Sequence, residues 1–432
     1  MSETDKLKDK LKVLIMSTYD TRGGGAKAAF RLHHGLKKTG TNSQMLVQVK
    51  FSDDVDVIST ETKIDQKFPK IRPHLDSLPK LLSKNPNSGQ RHPYSLQWLP
   101  DIILSKIPQI SPDIINLHWI SGGLIRLETI AQLRQPIVWT LHDMWAFTGG
   151  CHYTMECDRY LSACYQCPQM PKKYGIDLSH WVWERKQKAW ANLNATVVTP
   201  SRWLARCAAS SPLTKNWRIE VIPNGINTQV FQPQNKKSVR EKLNLPLDKN
   251  LILFGAYNAT ASKRKGFEIL TSALKRLSQT SKKEEWELII FGADKSSSPV
   301  DLGLKTHYLG CIDSETAIAQ IYAAADVFIA PSLQDNLPNT VMESLACGTP
   351  CVAFDIGGMS DMIIHQQNGY LAKPYEVEDL TQGIVWVLEN INNQSQKLSD
   401  RARKQVEEKF TQEIQARRYS SLFEEITQVC KL

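Results

Sequence analysis

Short apolar runs alternate with amphipathic stretches along most of the chain. The run at residues 11–19 is followed by glycines and then by Ala29, Leu32, His33 and Leu36, which recur at helical spacing. This pattern predicts strands joined by helices, and therefore a parallel sheet covered on both faces. Further strand candidates in this half lie at 42–50, 113–120, 136–143 and 196–201.

The same alternation restarts after a turn-rich segment at residues 221–238. Strand candidates in this second half lie at 251–257, 286–293, 307–312, 326–332, 350–355 and 369–373. We therefore predict an α/β protein of two doubly wound, Rossmann-like domains that face a central cleft. Ligands of such folds bind at the carboxyl ends of the strands. The predicted domains are residues 1–225 and 226–410, and we expect the last helix, 411–432, to pack across their junction.

Composition and charge narrow the functional classes. Hydrophobic residues make up 41% of the chain and charged residues 22%, which is ordinary for a globular protein. The net charge of +9 suits an anionic substrate or surface, but it does not by itself indicate nucleic acid, and we expect no nucleic-acid partner. The charged N-terminus and the lack of a run of about 18 apolar residues lead us to expect a cytoplasmic protein.

A basic segment at residues 67–94 differs from its surroundings. It carries a proline every few residues and interleaves Leu, Ile and Phe with Lys and Arg. Segments of this kind lie on anionic membrane surfaces, so we expect a peripheral contact with the inner face of the membrane. A solvated loop is the alternative.

The stretch QDNLPNTVMESLACGTP, residues 334–350, carries the most informative spacing. It follows a buried strand and predicts a helix that begins near Pro338 or Asn339, whose exposed N–H groups suit a diphosphate. Glu343 lies about one turn into this helix and can accept hydrogen bonds from sugar hydroxyls. Asp335 lies in the preceding loop and is expected to face the cleft. A helix cap with a surface acid is the alternative interpretation.

This stretch resembles the signature of glycosyltransferase family 4, a retaining family with the GT-B fold. The hallmark is two acids separated by seven residues, followed by a small-residue helix. GGGAKAAFRL, NLHW, TLHD, VIPNGINTQVFQP and KGFEIL occur elsewhere in the order that the family shows. The resemblance covers nearly the whole chain. TLHDMWAFTGGCHY and the cysteines after it point to a branch that builds bacterial surface polysaccharides.

The resemblance implies particular site residues. Residues 1–225 would form the acceptor-side domain and 226–410 the domain that binds a nucleotide sugar. His142, Asp335 and Glu343 are the expected catalytic residues. Donor-binding residues are expected at Gly24, Gly25, Lys263, Arg264, Lys265, Asn336, Leu337, Pro338, Asn339 and Thr340. Without the resemblance, the glycines after the first strand would suit a nicotinamide-binding domain equally well.

Two positions depart from the family pattern. Asp335 stands where most members have Glu, which keeps the carboxylate but shortens it by one methylene. Ala256 stands where the family usually has a phosphate-binding Arg, while Lys265 keeps the position of the family's lysine. A departing diphosphate needs about two cations. We therefore expect Lys263 or Arg264 to supply the second charge.

Two histidines end strands of the N-terminal half, His118 in NLHW and His142 in TLHD. A histidine in such a place is more often structural than catalytic. The resemblance places His142 near the sugar and the acceptor, with His118 supporting the site. We expect the neighbouring Asp143 to orient the imidazole of His142.

Four of the nine cysteines lie in a loop at residues 149–170: Cys151, Cys157, Cys164 and Cys167. The last two form a C-x-x-C pair, whose spacing suits tetrahedral zinc. The first two are spaced more loosely, and His152 is a candidate to replace one thiol. A structural zinc site and a set of free or redox-active cysteines remain the two interpretations, neither with a catalytic role.

The resemblance implies transfer of a sugar from a nucleotide-diphosphate donor, with retention, to a hydroxyl of a glycan or lipid-linked glycan acceptor. No cofactor or divalent metal is expected to be required, and the leaving phosphate is expected to act as the base. A non-catalytic sugar-nucleotide-binding protein of the same fold is the alternative. A nicotinamide-dependent oxidoreductase is less well supported, because no acid ends the second strand, MLVQVK.

Overall fold

A computed structural model describes residues 11–60, 68–78, 94–170, 177–256, 260, 262–293 and 301–429. It divides into two compact units. The first unit comprises residues 1–225 and 412–432, and the second comprises residues 226–411. Each unit is built on one parallel sheet with helices around it.

The sheet of the first unit has seven parallel strands in the order β3-β2-β1-β4-β5-β6-β7. They are β1 (Lys12–Tyr19), β2 (Asn42–Val49), β3 (Val57–Ser59), β4 (Ile114–Leu117), β5 (Ile137–Thr140), β6 (Ala195–Thr199) and β7 (Arg218–Val221). The helices up to residue 225 are α1 (Gly24–Lys38), α2 (Phe68–Asp76), α3 (Ile103–Ile110), α4 (Leu127–Ile130), α5 (Leu178–Ala189) and α6 (Arg202–Ser210).

The second unit has six parallel strands in the order β10-β9-β8-β11-β12-β13. They are β8 (Asn250–Gly255), β9 (Trp286–Phe291), β10 (Thr306–Tyr308), β11 (Val327–Ala330), β12 (Cys351–Phe354) and β13 (Gly369–Ala372). Its helices are α7 (Lys236–Lys242), α8 (Phe267–Leu277), α9 (Glu315–Ala324), α10 (Asn339–Ala346), α11 (Met359–Met362) and α12 (Val377–Lys409).

The central strands are buried on both faces, as expected for a parallel sheet between helices. Successive residues of β1, Leu14, Ile15 and Met16, are all fully buried, although their side chains point to alternate faces. This explains why each of these strands is a continuous apolar run rather than an alternating one. The predicted doubly wound α/β architecture is confirmed in both units.

The last helix, α13 (Gln412–Val429), belongs to the first unit. It packs against α1, where a side chain at Gly35 would lie 3.0 Å from the carbonyl oxygen of Gln412. The Tyr419 hydroxyl lies 2.9 Å from Oγ1 of Thr140 on β5. Through this packing α13 is part of the first unit. The expected packing of the last helix across a domain junction stays a prediction.

Two edge strands, β3 and β7, are absent from the sequence-based prediction. β7 is partly or fully exposed at every position, so it has no apolar run to mark it. The predicted basic segment at 67–94 is described only at residues 68–78 and Tyr94, and 67 and 79–93 lie outside the described residues. Within α2, Arg72 donates to the carbonyl oxygen of Gly123. The membrane contact remains a prediction.

None of the helices in the described ranges combines the length and the apolar composition that crossing a bilayer requires.

Candidate functional site

Each sheet has one point where the chain reverses its direction of winding. In the first unit it lies between β1 and β4, and in the second between β8 and β11. Ligands of open α/β sheets bind beside such a point, outside the carboxyl ends of the strands. The predicted catalytic and donor-binding residues gather at these two places, and each place is described within its own unit.

In the second unit, the turn after β8 docks on the loop after β11. The amide of Leu333 donates to the carbonyl oxygen of Arg264 over 2.8 Å. Gly266 has a φ of +73°, and a Cβ there would lie 1.8 Å from the carbonyl oxygen of Pro331. Only glycine tolerates this close approach, which holds the basic turn 263–265 against the acidic loop.

Asp335 is the centre of a buried ion cluster. Its Oδ2 lies 2.7 Å from Nζ of Lys265 and 3.0 Å from Nη1 of Arg264. The hydroxyl of Ser332 donates to the same oxygen over 3.3 Å, and the amide of Asn336 donates to Oδ1 over 3.1 Å. The acid that was expected to face the cleft therefore holds Lys265 and Arg264, two of the three basic residues expected to bind the donor.

The charges of this cluster stabilise one another. Burial alone would raise the pKa of Asp335, but attraction to Arg264 and Lys265 outweighs it and holds the pKa below its usual range. Burial lowers the pKa of Lys265, and Asp335 opposes that shift. One carboxylate with two cations leaves an excess positive charge of one, so the cluster can still attract an anion.

The two candidates for the second cation differ in their environment. Lys263 is exposed, whereas Arg264 is half-buried and also donates to the carbonyl oxygen of Gln334 over 2.8 Å. Ala256, at the position of the family's arginine, is buried directly after β8. The geometry favours Arg264 over Lys263 as the second cation.

Helix α10 starts beside this cluster. It begins at Asn339 after Pro338, whose side chain has no polar atom to cap the helix, and Leu337 is packed into the core. Asn339 and Thr340 are half-buried in the first turn. Glu343 is 7% exposed, and the hydroxyl of Tyr322 donates to its Oε2 over 3.3 Å.

In the first unit, helix α1 approaches the end of β5. Gly23, with a φ of +91°, precedes the helix, which begins at Gly24. A Cβ on Gly25 would lie 3.1 Å from the imidazole of His142 and 3.2 Å from Cβ of Trp119. The structure therefore brings the predicted Gly25 and His142 together, and a larger residue at position 25 would press on the ring.

Hydrogen bonds link His142 to the interior of the first unit. Its Nε2 lies 2.9 Å from Nδ1 of His118, and Nε2 of His118 lies 2.8 Å from Oδ1 of Asn116. The Asn116 amide nitrogen donates to the carbonyl oxygen of Val138 and to Oγ1 of Thr140, each over 3.0 Å. We call the series Asn116–His118–His142 the histidine relay.

The relay assigns the protons of both rings. A backbone carbonyl only accepts, so the amide nitrogen of Asn116 faces Val138 and its oxygen accepts from His118 Nε2–H. Neutral His118 then accepts at Nδ1 from His142 Nε2–H, which leaves Nδ1 of His142 as its acceptor nitrogen. Burial lowers the pKa of His142 to about 4 and that of His118 well below its usual value, so both rings are neutral at pH 7.

The expectation that Asp143 orients His142 is wrong, because Asp143 binds other side chains. Asp143 Oδ2 lies 2.6 Å from Nδ1 of His152 and accepts from Nε1 of Trp119 over 3.1 Å. His118 is the ring that orients His142. Nε2 of His152 lies 3.0 Å from the hydroxyl of Ser95, so both ring nitrogens of His152 have partners and it is not placed to replace a thiol.

The four cysteines of the 149–170 loop line one small cavity within the first unit, together with Tyr94 and Tyr160. All four are free thiols. The cysteines interact with one another, since the thiol of Cys151 favours ionisation of Cys167 and brings its pKa to about 7.

Several residues of these sites went unnoticed in the sequence. Asn116 and Tyr322 lie in apolar runs, where one polar residue is easily passed over. Tyr419 lies on a helix far along the chain from its partner Thr140. The only local signal was the pair of NLHW and TLHD, which end neighbouring strands and so place His118 beside His142.

Family profiles match both halves of the chain. The profile "Glycosyltransferase Family 4" matches residues 23–230, and "Glycosyl transferases group 1" matches residues 235–405. A D-inositol 3-phosphate glycosyltransferase of Xylanimonas cellulosilytica is 30% identical over 175 residues, 37% of this chain and 40% of that protein. The aligned parts span between 37% and 56% of the curated relatives' length.

Solved structures match over the whole length. The sucrose-phosphate synthase of Thermosynechococcus elongatus superposes with a TM-score of 0.68 at 18% identity, covering 97% of this chain and 100% of that one. Anabaena HepE in complex with UDP-glucose superposes with a TM-score of 0.61 at 17% identity, covering 96% of this chain and 100% of that one. At such identities the likeness concerns the fold, which is GT-B. The two family profiles, which together match most of the chain, show that it belongs to the family 4 glycosyltransferases.

Proposed function

We propose that this protein transfers a sugar from a nucleotide-diphosphate donor, with retention, to a hydroxyl of a glycan or lipid-linked glycan. The observation that carries the proposal is the charged cluster at the winding reversal of the second sheet. There Lys265 and Arg264 lie beside the start of α10, whose N–H groups favour an anion. This combination suits a diphosphate better than an uncharged ligand.

The cluster suits the loss of a diphosphate in particular. As the bond from the anomeric carbon to the phosphate oxygen breaks, negative charge grows on the leaving group. Cations already held by Asp335 need little reorganisation to stabilise that charge. The phosphate oxygen takes the proton of the acceptor hydroxyl while the new glycosidic bond forms on the same face, so no protein nucleophile is required.

Glu343 is proposed to accept hydrogen bonds from hydroxyls of the donor. The Tyr322 hydroxyl, which donates to Glu343 Oε2, would orient the carboxylate. In the first unit, His142 is proposed to accept a hydrogen bond from a hydroxyl at Nδ1, the nitrogen that the histidine relay leaves as the acceptor. Neutral rings suit this role because an imidazolium has no acceptor.

Anabaena HepE supports a uridine nucleotide as the first donor to try, since that protein was solved with UDP-glucose. The test is release of UDP from UDP-glucose, followed by a panel of other sugars and bases. Turnover without added acceptor reports donor hydrolysis, and polysaccharide or lipid-linked glycans are then added as acceptors. Retention is read from the anomeric configuration of the product by NMR.

Lys265→Ala and the exposed neighbour Lys263→Ala form a matched pair for this test. Loss of turnover in Lys265→Ala alone supports the proposal. Saturable donor binding with no turnover across the panel, with and without acceptors, would favour a non-catalytic sugar-nucleotide-binding protein. Failure of every sugar nucleotide to bind would overturn the proposal.

A further inference from the structure

The cysteines of the 149–170 loop form a cluster that the proposed transfer reaction does not use. The thiol cluster (Cys151, Cys157, Cys164 and Cys167) lines a cavity of about 10 Å³. This volume holds roughly one water-sized sphere. Its backbone is held in place, because the Tyr94 hydroxyl donates to the carbonyl oxygen of Gly149 over 2.6 Å and Tyr94 pairs with Cys151 as an antiparallel bridge.

We propose that the thiol cluster binds one zinc ion with four sulfur ligands and no vacant position. Cys164 and Cys167 have the C-x-x-C spacing typical of zinc sites. The backbone amide of Cys167 donates to Oγ of Ser179 over 3.2 Å, which fixes the backbone at this pair. A site closed by four protein ligands is structural, so the ion would brace the loop rather than take part in transfer.

The thiols must move inward to bind the ion. Among the described residues, the group whose potential ligand atoms all lie within 4.8 Å of one another is His33, Asp54 and Asp56. Lys37 already forms ion pairs with both acids of that group, so the side chain of Lys37 supplies the positive charge there. In the thiol cluster, the four side chains line one cavity, and binding of an ion requires their sulfur atoms to approach one another. Each cysteine gives up its proton to solvent on binding.

A buried lysine beside the loop supplies a second observation. Lys186 is fully buried, and its ammonium donates to the carbonyl oxygens of Trp145 and Thr148. It also lies 3.9 Å from the centre of the Trp145 ring. These hydrogen-bond partners are neutral, and a buried ammonium is costly unless anions lie nearby. The carboxylate of Asp143 is one anion that acts on it.

The thiol cluster would supply a further anion when it binds zinc. The loop lies close to Lys186, because Thr148, whose carbonyl oxygen accepts from Lys186, donates its hydroxyl to the carbonyl oxygen of Cys151 over 2.6 Å. Zinc with four thiolates carries a net charge of −2. Lys186 would balance half of this charge. Lys186 is thus inferred to be a charge-balancing residue of the zinc site.

The first test measures metal in the full chain, purified without a histidine tag. About one zinc per chain is expected by mass spectrometry. Cys157→Ser should lose it, and Cys311→Ser, an exposed cysteine of the second unit, should keep it. If Cys157→Ser fails to fold, cobalt titration of chelator-treated wild type gives the answer, since four-thiolate cobalt has intense charge-transfer bands.

The second test concerns Lys186→Met, which keeps the length and removes the charge. Zinc should leave this variant for a competing chelator about tenfold more readily than it leaves wild type. Unchanged retention would overturn the role of Lys186 alone. Absence of zinc and of a cobalt spectrum, or a disulfide within the cluster, would overturn the site. Neither test uses transfer activity, so failure here is distinct from failure of the proposed function.

Discussion

The two units share one sheet topology, but they place different chemistry at the point where the winding reverses. The first unit has the histidine relay, whose groups are uncharged at neutral pH because burial lowers the pKa of both rings. The second unit has one carboxylate and two cations within 3.0 Å of it. A neutral relay suits hydroxyls, whereas a charged cluster suits a diphosphate.

The difference also teaches how each site is kept in order. The relay is oriented by hydrogen bonds whose direction is set by a backbone carbonyl at its inner end. The cluster is oriented by attraction between opposite charges. Removing a member of the ion cluster should therefore mainly lower the stability of the second unit. Removing a member of the histidine relay should mainly change which ring nitrogens carry the protons.

The largest effect is expected for Asp335→Asn, which leaves Lys265 and Arg264 without their counter-charge. Breaking a buried pair in this way should lower the free energy of unfolding by about 3 kcal/mol. Because folding lowers the pKa of Asp335, its stabilisation is present above about pH 4 and is lost as the pH falls further. Denaturant unfolding at pH 7 and pH 3 checks both points, and equal differences at the two pH values would contradict the ion cluster.

Lys265→Ala should slow release of UDP from UDP-glucose by about 30- to 1,000-fold, or roughly 2–4 kcal/mol of transition-state stabilisation. Arg264→Ala should show a smaller loss in the same direction. Lys263→Ala is the control, because its side chain is exposed. Rates are compared at equal concentrations of folded protein. A rate for Lys263→Ala as low as that for Lys265→Ala would assign the second cation to Lys263 instead of Arg264.

The proton positions in the histidine relay are tested by Asn116→Leu, which removes the acceptor of His118 Nε2–H. The expected result is a mixture of tautomers at His142 and a drop in turnover of roughly tenfold, with little change in donor affinity. Nitrogen NMR of the imidazoles reports the tautomer directly, and wild type should carry the proton of His142 at Nε2. Tyr419→Phe, which removes the hydroxyl that pairs with Thr140 and leaves the three relay residues in place, is the matched control. A wild-type His142 protonated at Nδ1 would contradict the relay.

The relay also predicts a pH dependence. Folding lowers the pKa of His142 to about 4, so the unfolded chain binds more protons between about pH 6.5 and pH 4. Stability should therefore fall as the pH drops through this window. His142→Phe should flatten that part of the profile, as measured by thermal unfolding at a series of pH values. An unchanged slope would mean that other groups carry it.

The smallest effect is expected for Tyr322→Phe, which removes one hydrogen bond to Glu343. The loss should be about 1 kcal/mol, seen as roughly a fivefold weaker affinity for the donor. Glu343→Ala should weaken donor affinity further, because it removes the acceptor itself. Calorimetric titration with UDP-glucose measures both. A larger loss in Tyr322→Phe than in Glu343→Ala would reverse the assigned roles.

The fold could be predicted well because its signals are local. Apolar runs marked the start of each predicted strand to within one residue, although the runs extend up to four residues beyond the strand ends. The edge strand β7 was missed because exposed strands carry no such run. The candidate site followed from the same logic, since residues that end neighbouring parallel strands meet at one edge of the sheet.

Partners within the sites could not be predicted in the same way. Asp143 follows His142 directly, yet it binds His152 and leaves His118 to orient His142. Asp335 and Lys265 are 70 positions apart, and Thr140 and Tyr419 are 279 apart. Side-chain direction and long-range packing decide such pairs, and neither is written in the spacing of a motif.

The sequence by itself determined two parallel α/β domains and the positions where functional side chains leave the strands, because burial on both faces of a sheet requires continuous apolar runs that can be read locally. Only the tertiary structure decided which charges and protons these side chains hold. A pKa and a tautomer depend on burial and on partners brought together from distant parts of the chain. The buried cations beside Asp335 and the neutral rings behind His142 are therefore properties of the folded units rather than of any motif.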